Sequence, residues 1–265
     1  MREEETVSQK KVLLVGETWI SRATHMKGFD EFSSTTFHNG AVDFLAAVRN
    51  SGVSIDQLPA HEVPGSFPRT EAELQAYSVI ILSDIGSNSL LLSNATWLES
   101  AQGPNAIDAL NSWVKSGGAL LMVGGYLSFQ GFQAIANFAN TSIGEVLPVE
   151  IQMVDDRVES PQGYQMEFHA EHQITNSLRK STASNKSLIP MLLGYNRTKL
   201  APDSQVLLSI NSDPLVAIRE VGLGRSAVWT SDIGPHWCPQ SFIKWSGYEL
   251  LMGNLLKWLA KGETQ

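Results

Sequence analysis

Short apolar runs alternate with segments of helical spacing in the first half of the chain. Two segments place apolar residues on one helical face and end in glycine, which favours amphipathic helices at 41–52 and 105–118. The apolar runs are rich in Val, Ile and Leu, which is typical of buried parallel strands. This alternation predicts an α/β fold with an open, mostly parallel sheet and helices on both of its faces. The predicted strands span 10–17, 53–60, 77–85 and 119–125.

The second half of the chain has a different pattern, with more strands than helices. It predicts strands at 148–161 and 204–210 and a hairpin at 214–232 that turns around Gly222–Gly224. The last long segment, 241–262, is predicted to contain a helix with one apolar face, formed by Leu251, Leu255, Leu256 and Leu259. We therefore expect an additional β portion in the second half.

One domain is the simplest organisation that fits this pattern. No internal repeat or low-complexity linker divides the chain, so residues 11–262 are predicted to form a single α/β domain. Residues 18–40 are mostly polar and are predicted to be a long loop. The charged residues 1–10 are predicted to be a disordered leader, and so are the final five residues.

Charge and cysteine content narrow the classes of partner. The net charge of −8 gives an acidic surface that repels phosphate backbones and anionic lipids, so nucleic-acid and membrane partners are not expected. The single cysteine, Cys238, allows no internal disulfide and fits a reducing compartment. The N-terminal segment lacks the apolar core of a secretory signal, and no apolar run is long enough to cross a bilayer. A cytoplasmic protein is expected, for which a homo-oligomer is possible.

Polar and aromatic side chains follow several predicted strands, at the strand ends where open α/β sheets bind ligands. Acidic groups beside aromatic rings suit a polyhydroxy or cationic ligand, so the predicted partner is a small polar molecule such as a sugar or an amine. The candidate ligand-binding residues are Glu17, Trp19, His25, Lys27, Asp84, Asn88 and Trp237, and the candidates for catalysis are Tyr126, Asp232 and His236.

The charged candidates also have structural explanations. An aspartate in the position of Asp84 more often caps a turn or a helix, and Glu17 could simply pair with Lys27 or with Arg22. His236 follows a rigid proline turn and could serve either a ligand or a structural hydrogen bond. If Glu17 lies beside His236, its negative charge would favour the imidazolium and raise the pKa of His236.

The aromatic candidates have alternatives too. Trp19 could be part of the core. Tyr126 could be a buried apolar side chain whose hydroxyl needs one partner, or it could donate a hydrogen bond to a ligand or stack on one. Tyr126 is a poor nucleophile because a phenol ionises only near pH ~10.

Metal and cofactor sites are not predicted. His169 and His172 in FHAEHQ flank Glu171, but the segment lacks the helical periodicity of a zinc-protease helix, and a solvated loop is expected there. No glycine-rich phosphate-binding motif occurs, and GLGRSA leads into another strand, as a hairpin turn does.

The segment VGGYLSFQG, residues 123–131, resembles the nucleophile turn of class I glutamine amidotransferases, which commonly reads G-x-C-x-G-x-Q. Gly124 matches the first glycine, Tyr126 the catalytic cysteine, Ser128 the second glycine and Gln130 the glutamine. The resemblance implies a strand, a sharp turn and a helix that begins near Gln130. His236 stands where that family has its late histidine, but Trp237 and Cys238 follow in place of Pro and Glu.

Nearly the whole chain, residues 11–260, is similar to glutamine-amidotransferase-like proteins that lack the standard triad. The similarity includes LLVGETW, VIILSDIGSN, DDRVE, SDIGPHW and NLLKWL. It implies a flavodoxin-like fold of the class I glutamine amidotransferase type, in which the turn is kept and the cysteine chemistry is lost. Cys238 is not expected to replace the missing thiol, because it is not on a strand-to-helix turn and has no evident oxyanion hole.

Two functions fit these residues. In the first, the protein binds a small polar ligand without acting on it. In the second, it is a hydrolase or isomerase in which His236 is the general base, Asp232 orients it and Tyr126 donates to an oxyanion.

Overall fold

The computed structural model describes residues 11–183 and 189–261. The predicted leader at 1–10 and four of the final five residues lie outside the described residues. The strands are β1 Lys11–Gly16, β2 Thr18–Lys27, β3 Asp30–Asn39, β4 Ser54–Leu58, β5 Val79–Ser83, β6 Ala119–Val123, β7 Val149–Ile151, β8 Arg157–Tyr164, β9 Glu167–Phe168, β10 Leu192–Asn196, β11 Thr198–Leu200, β12 Gln205–Ile210, β13 Asp213–Val221 and β14 Gly224–Trp229.

The α-helices are α1 Val42–Ala47, α2 Val63–Ser66, α3 Glu71–Leu74, α4 Ser87–Leu91, α5 Asn94–Glu99, α6 Ala106–Lys115, α7 Asn176–Thr182, α8 Gln240–Ile243 and α9 Ser246–Leu259. Short 3-10 helices occur at Arg49–Ser51, Ala60–Glu62, Phe132–Ala134, Phe138–Asn140 and Ser142–Glu145. Within the part of the chain that the structure describes, no helix is long and apolar enough to traverse a lipid bilayer.

An eight-stranded sheet forms the centre of the fold, in the order β4-β1-β5-β6-β14-β13-β12-β9. The first five strands in this order are parallel, and the last three extend the sheet in antiparallel fashion. The predicted α/β fold with a mostly parallel sheet is confirmed, as is the additional β portion. Part of that portion widens the main sheet, and part forms the two-stranded sheets β8–β10 and β7–β11.

Side chains alternate across the main sheet, and each face is covered by helices. On β1, Val12 and Leu14 belong to one apolar cluster, while Leu13 and Val15 belong to the cluster on the opposite face. The first cluster includes the apolar face of α9, with Leu251, Leu255, Leu256 and Leu259, and the second includes α6, with Ile107, Leu110, Trp113 and Val114. Burial on both faces explains why these strands are apolar without alternation.

The predicted loop at 18–40 is wrong, because these residues form the antiparallel hairpin β2–β3. Ten residue pairs run in regular register from Thr18 with Asn39 to Lys27 with Asp30. Gly28, with a φ of 66°, is the first residue of the two-residue connection, where hairpins commonly need a positive φ. The strands were missed because neither face is buried, so the sequence shows no apolar alternation. We call residues 18–39 the arm.

Two predictions for the second half of the chain have different outcomes. The single strand predicted at 148–161 is two strands, β7 and β8, which pair with different partners. The hairpin predicted around Gly222–Gly224 is confirmed as β13–β14.

Candidate functional site

Four neighbouring parallel strands deliver their following residues to one edge of the sheet. Glu17 directly follows β1 and Asp84 directly follows β5, while Tyr126 and Asp232 each come three residues after the end of β6 and β14. These strands are adjacent and parallel in the order β1-β5-β6-β14. The edge is therefore the one at which open α/β sheets bind their ligands.

Glu17 is buried at the base of this edge. The Ser83 hydroxyl donates a 2.6 Å hydrogen bond to its Oε2, and a Cβ on Gly40 would lie 2.5 Å from its Oε1. Burial, followed by the negative charges of Asp232 and Asp84, raises the pKa of Glu17 well above its ordinary value. The neutral carboxyl is thus favoured, and it is hydrogen-bonded to Asp232. The alternative for Glu17, an ion pair with Lys27 or with Arg22, does not occur.

Asp84 lies beside the turn that contains Tyr126. Its Oδ1 accepts a 2.6 Å hydrogen bond from the backbone N–H of Leu127, and its own N–H donates to the Ser128 hydroxyl over 3.1 Å. Burial is the main reason why the pKa of Asp84 is raised to about 6. Asp84 does not cap helix α4, whose N-cap is Gly86 without a side-chain cap, but it does bond the backbone of the turn at Leu127, in line with the turn-capping alternative.

Glu17 and Asp84 share an unusual backbone conformation. Their φ angles are 53° and 44°, in the left-handed region that non-glycine residues seldom adopt. Such strain persists only where the surrounding structure holds it, and it concentrates at binding and active sites. The backbone of Glu17 is held by hydrogen bonds from its N–H to the Ser83 carbonyl and to its carbonyl from the Gly40 N–H, and that of Asp84 by the bond from its N–H to the Ser128 hydroxyl.

Asp232 and His236 form a pair at the end of β14. Oδ1 of Asp232 accepts a 2.9 Å hydrogen bond from the Gly234 N–H, and Oδ2 lies 3.6 Å from Nδ1 of His236. The carboxylate is buried, whereas 54% of the His236 side chain is exposed. Asp232 is the main cause that raises the pKa of His236, with smaller contributions from Asp84 and Glu159. Glu17 is not the residue that faces His236, contrary to the expectation from sequence.

Aromatic rings form a row across the mouth of the site. The indole of Trp19 is 4.9 Å from the ring of His38 and 5.4 Å from that of His236. The ring of His236 is in turn 6.0 Å from that of Tyr126, nearly parallel to it, and Tyr126 is 6.1 Å from Phe132. The guanidinium of Arg157 lies over the rings of Tyr126 and Phe132, 4.9 Å and 4.3 Å from their centroids, so part of this ring surface is already covered.

Glu159 anchors one end of this row. Its Oε1 accepts hydrogen bonds from the Tyr126 hydroxyl over 2.8 Å and from the indole N–H of Trp237 over 2.9 Å. Trp237 was predicted to bind a ligand, but it is buried. It therefore supports Glu159 through its indole N–H. The Tyr126 hydroxyl already donates its hydrogen bond to Glu159. Burial, together with the nearby Glu159, raises the pKa of Tyr126.

The turn after β6 is held by buried hydrogen bonds instead of by a helix. Asp156 accepts hydrogen bonds from the N–H groups of Gln130 and Gly131, and its Oδ1 also accepts from Asn196 Nδ2 over 2.7 Å. Asn196 Oδ1 accepts from the Gly125 N–H. The helix predicted to begin near Gln130 is wrong, because Gly131 has a φ of 71° and only a 3-10 turn follows.

The structure does not bring all predicted ligand-binding residues together. His25 and Lys27 lie at the outer end of the arm, where His25 contacts Ser34 and Phe32. Asn88 is exposed on α4. The site also contains residues that were not among the predicted catalytic or ligand-binding residues, namely His38, Ser83, Ser128, Asp156, Glu159 and Asn196. Of these, Asp156 and Glu159 fall in DDRVE, a segment that carried a resemblance but no assigned chemistry.

Cys238 is fully buried near this site. Burial, with Asp232 and Asp43 nearby, raises the pKa of its thiol well above the ordinary value, which disfavours the thiolate. Within residues 11–183 and 189–261, no three His, Cys, Asp or Glu side chains are grouped to hold a metal ion.

Comparisons with known proteins place the chain in a family. A family model described as "Putative glutamine amidotransferase" (GATase1-like) matches residues 11–261. No curated protein matched the chain.

Two solved structures from Salmonella typhimurium are similar over nearly the whole length. Cytoplasmic protein STM3548 is 42% identical, with a TM-score of 0.87 over 94% of this chain and 98% of that one. Cytoplasmic protein STM1381, from strain LT2, is 40% identical, with a TM-score of 0.86 over 94% of this chain and 99% of that one. The chain therefore belongs to the GATase1-like family of glutamine-amidotransferase-like proteins.

Proposed function

We propose that this protein binds a small polyhydroxy ligand, of the size of a sugar, at the carboxyl edge of its parallel sheet. The observation that carries the proposal is the convergence of Glu17, Asp84 and Asp232 with the rings of Trp19 and His236 on that edge. Strained backbone at two of the three acidic residues supports a site that is held ready for a ligand.

The accessible groups supply both donors and acceptors. The half-exposed imidazole of His236 leaves its Nε2 side free of Asp232, and the half-buried carboxyl of Asp84 keeps acceptor sites besides the one taken by the Leu127 N–H. A ligand hydroxyl can donate and accept at once, so it suits such a mixture. The partly buried ring of Trp19 and the part of the Tyr126 ring that Arg157 leaves uncovered offer apolar surface for the C–H groups of a sugar.

An amine is the other ligand that the sequence predicts, and the charge distribution favours it less. The carboxyl of Glu17 favours its neutral form, and the negative charge of Asp232 faces His236. An ammonium group at the mouth would meet the half-exposed, readily protonated imidazole first. Repulsion from that cation opposes amine binding, while it leaves neutral hydroxyls unaffected.

Glutamine hydrolysis does not form part of the proposal. Tyr126 stands at the position of the family's cysteine, and its hydroxyl donates to Glu159. Cys238 is buried with a raised pKa, so a reactive thiolate is disfavoured there too. We also propose a cytoplasmic location, on the strength of the names of both Salmonella relatives.

Proton transfer on the bound ligand is the second candidate function. Its support is the pair of Asp232 and His236, in which Nδ1 of the imidazole faces the buried carboxylate and Nε2 lies on the opposite side of the ring. This is the arrangement of an oriented general base, as in hydrolases and isomerases. Tyr126 is not assigned the oxyanion role in it, because its hydroxyl is bound to Glu159.

Calorimetric titration with a panel of monosaccharides, polyols and primary amines tests the proposal. We expect at least one polyhydroxy compound to bind. Asp84→Asn should weaken its binding about tenfold, the loss of roughly one hydrogen bond to a charged group, and Trp19→Ala should weaken it by removing an apolar ring surface. Trp97→Ala is the matched control, because Trp97 is an exposed indole on α5.

Binding of amines alone would contradict the choice of ligand, and binding that survives both site variants would contradict the site. Incubation of a bound compound with the protein, followed by NMR of the compound, separates the two functions. Chemical change that is lost in His236→Asn would establish the second candidate, and an unchanged compound supports binding alone.

A further inference from the structure

The arm projects from the body of the protein. Its contacts with the body lie at its base, where the Thr18 hydroxyl accepts a hydrogen bond from the Ala60 N–H and Phe37 meets the ring of His61. Beyond Ile20 the strands pair only with each other in the two-stranded sheet β2–β3. At about 3.4 Å per residue, the outer seven pairs extend roughly 20–25 Å into solvent.

Large apolar side chains are exposed along the arm. At least half of the surface of each of these side chains is exposed, and for Met26 the exposed fraction is 75%. They lie on both faces, because strand residues alternate: Ile20 and Met26 share one face of β2, and Phe32 pairs with His25 on the other. The five side chains are Ile20, Met26, Phe29, Phe32 and Phe37. Exposed apolar side chains in this number on one projecting element are typical of an interaction surface.

The edges of the arm are also unprotected. A two-stranded sheet has two outer edges, and residues 18–39 contain no proline and pair without a bulge. Open edges of this length are templates for further strands, and an isolated hairpin is only marginally stable in water. Both features indicate that something covers the arm.

We propose that the occupant is the arm of a second copy of this chain, packed about a two-fold axis. The charges favour a second copy, since the arm carries two cations, Arg22 and Lys27, and two anions, Asp30 and Glu31. It is therefore neutral, whereas the whole chain carries −8, so two copies repel each other least where arm meets arm.

A two-fold arrangement pairs the charged side chains of the arm and covers its apolar side chains in the same contact. In an isologous contact, Arg22 and Lys27 of one copy can face Asp30 and Glu31 of the other, and the exposed apolar side chains of both arms cover one another. The projecting part of the arm, residues 21–36, supplies 16 residues per copy, somewhat fewer than the roughly 20–30 residues per partner of a standard interface.

Size-exclusion chromatography with light scattering over a wide range of protein concentration tests this inference. We expect a particle of twice the 29.0 kDa of one chain. Met26→Asp and Phe32→Asp, which put a charge on opposite faces near the tip, should each convert it to a 29.0 kDa monomer at the same concentration. Trp97→Asp is the control, because it places the same charge at an equally exposed side chain elsewhere and should stay dimeric.

A second variant guards against misfolding of the point variants. Residues 21–36 are replaced by Asn-Gly, which joins the cross-strand partners Ile20 and Phe37 by a two-residue turn and keeps the base of the arm. It should be a folded monomer by circular dichroism and light scattering. A wild-type protein that is monomeric, or a dimer that survives removal of the arm, would overturn the proposal.

Discussion

The imidazole Nδ1 of His236 lies 3.6 Å from Oδ2 of Asp232, whose carboxylate is buried. This separation is longer than an ordinary hydrogen bond, but the charges attract each other through a poorly solvated region. The carboxylate is fixed from its other side by the Gly234 N–H and by Glu17. Asp232 therefore sets the charge of the most exposed polar group of the site.

Asp232→Asn should lower the pKa of His236, because the largest cause of its raised pKa is removed. A raised histidine pKa stabilises the fold below the unfolded-state pKa, and this contribution is lost as the pH rises through the folded-state value. This pH dependence should be smaller in the variant, where only Asp84 and Glu159 still raise the pKa of His236. NMR titration of His236 measures the shift directly. Asp30→Asn, the same change on the arm, should leave the midpoint in place; an unshifted midpoint in Asp232→Asn would show that the pair is not formed.

Asp84→Asn should stabilise the protein at neutral pH. The pKa of Asp84 is raised to about 6, so its stabilising contribution is complete below the unfolded pKa of about 3.9 and is lost as the pH rises through about 6. The difference corresponds to about 3 kcal/mol at most. Asparagine is uncharged and its oxygen can still accept from the Leu127 N–H.

Urea unfolding of the wild type and of Asp84→Asn checks this expectation at several pH values from about 4, near the unfolded-state pKa, to about 8, above the folded-state pKa. The gain in the free energy of unfolding should be present at the upper end and absent at the lower end. Asp56→Asn is the control, since it changes an exposed carboxylate on β4, outside the arm. A constant difference at every pH would mean that the ionisation of Asp84 is not the cause.

Asp156→Ala should destabilise the protein by about 3 kcal/mol or more, because three buried donors lose their acceptor. They are the N–H groups of Gln130 and Gly131 and the amide of Asn196. Asp155→Ala is the neighbouring control: Asp155 also accepts hydrogen bonds, but it is exposed and water can replace it, so the cost should stay near 1 kcal/mol or below. Urea unfolding gives both values, and equal losses would argue against a buried clamp.

The thiol of Cys238 should be inert in the folded protein. It is fully buried and its pKa is raised, so little thiolate is present to react. Ellman's reagent should therefore react with it only after the addition of denaturant, and the native protein should release no ammonia from glutamine. Rapid labelling of the native protein, or ammonia release that disappears in Cys238→Ser, would assign it a chemical role.

The main sheet could be predicted from the sequence because its strands carry their own signal. β1, β5 and β6 are buried on both faces, so they appear as uninterrupted apolar runs, and glycines mark the ends of the intervening helices. Because parallel strands end at one edge, the placement of Glu17, Asp84, Tyr126 and His236 at the same edge of the sheet could be predicted from the strands that precede them.

The rest depended on contacts between segments distant in the sequence. The arm was missed because its strands have no buried face, and its regular extension carried His25 and Lys27 away from the site. Asp156, Glu159 and Asn196 contribute through hydrogen bonds to residues 25 to 78 positions away, which no local pattern records. The sequence determined which strands form the edge, while tertiary packing decided which carboxyl faces which ring, because burial and partner distance exist only in the folded chain.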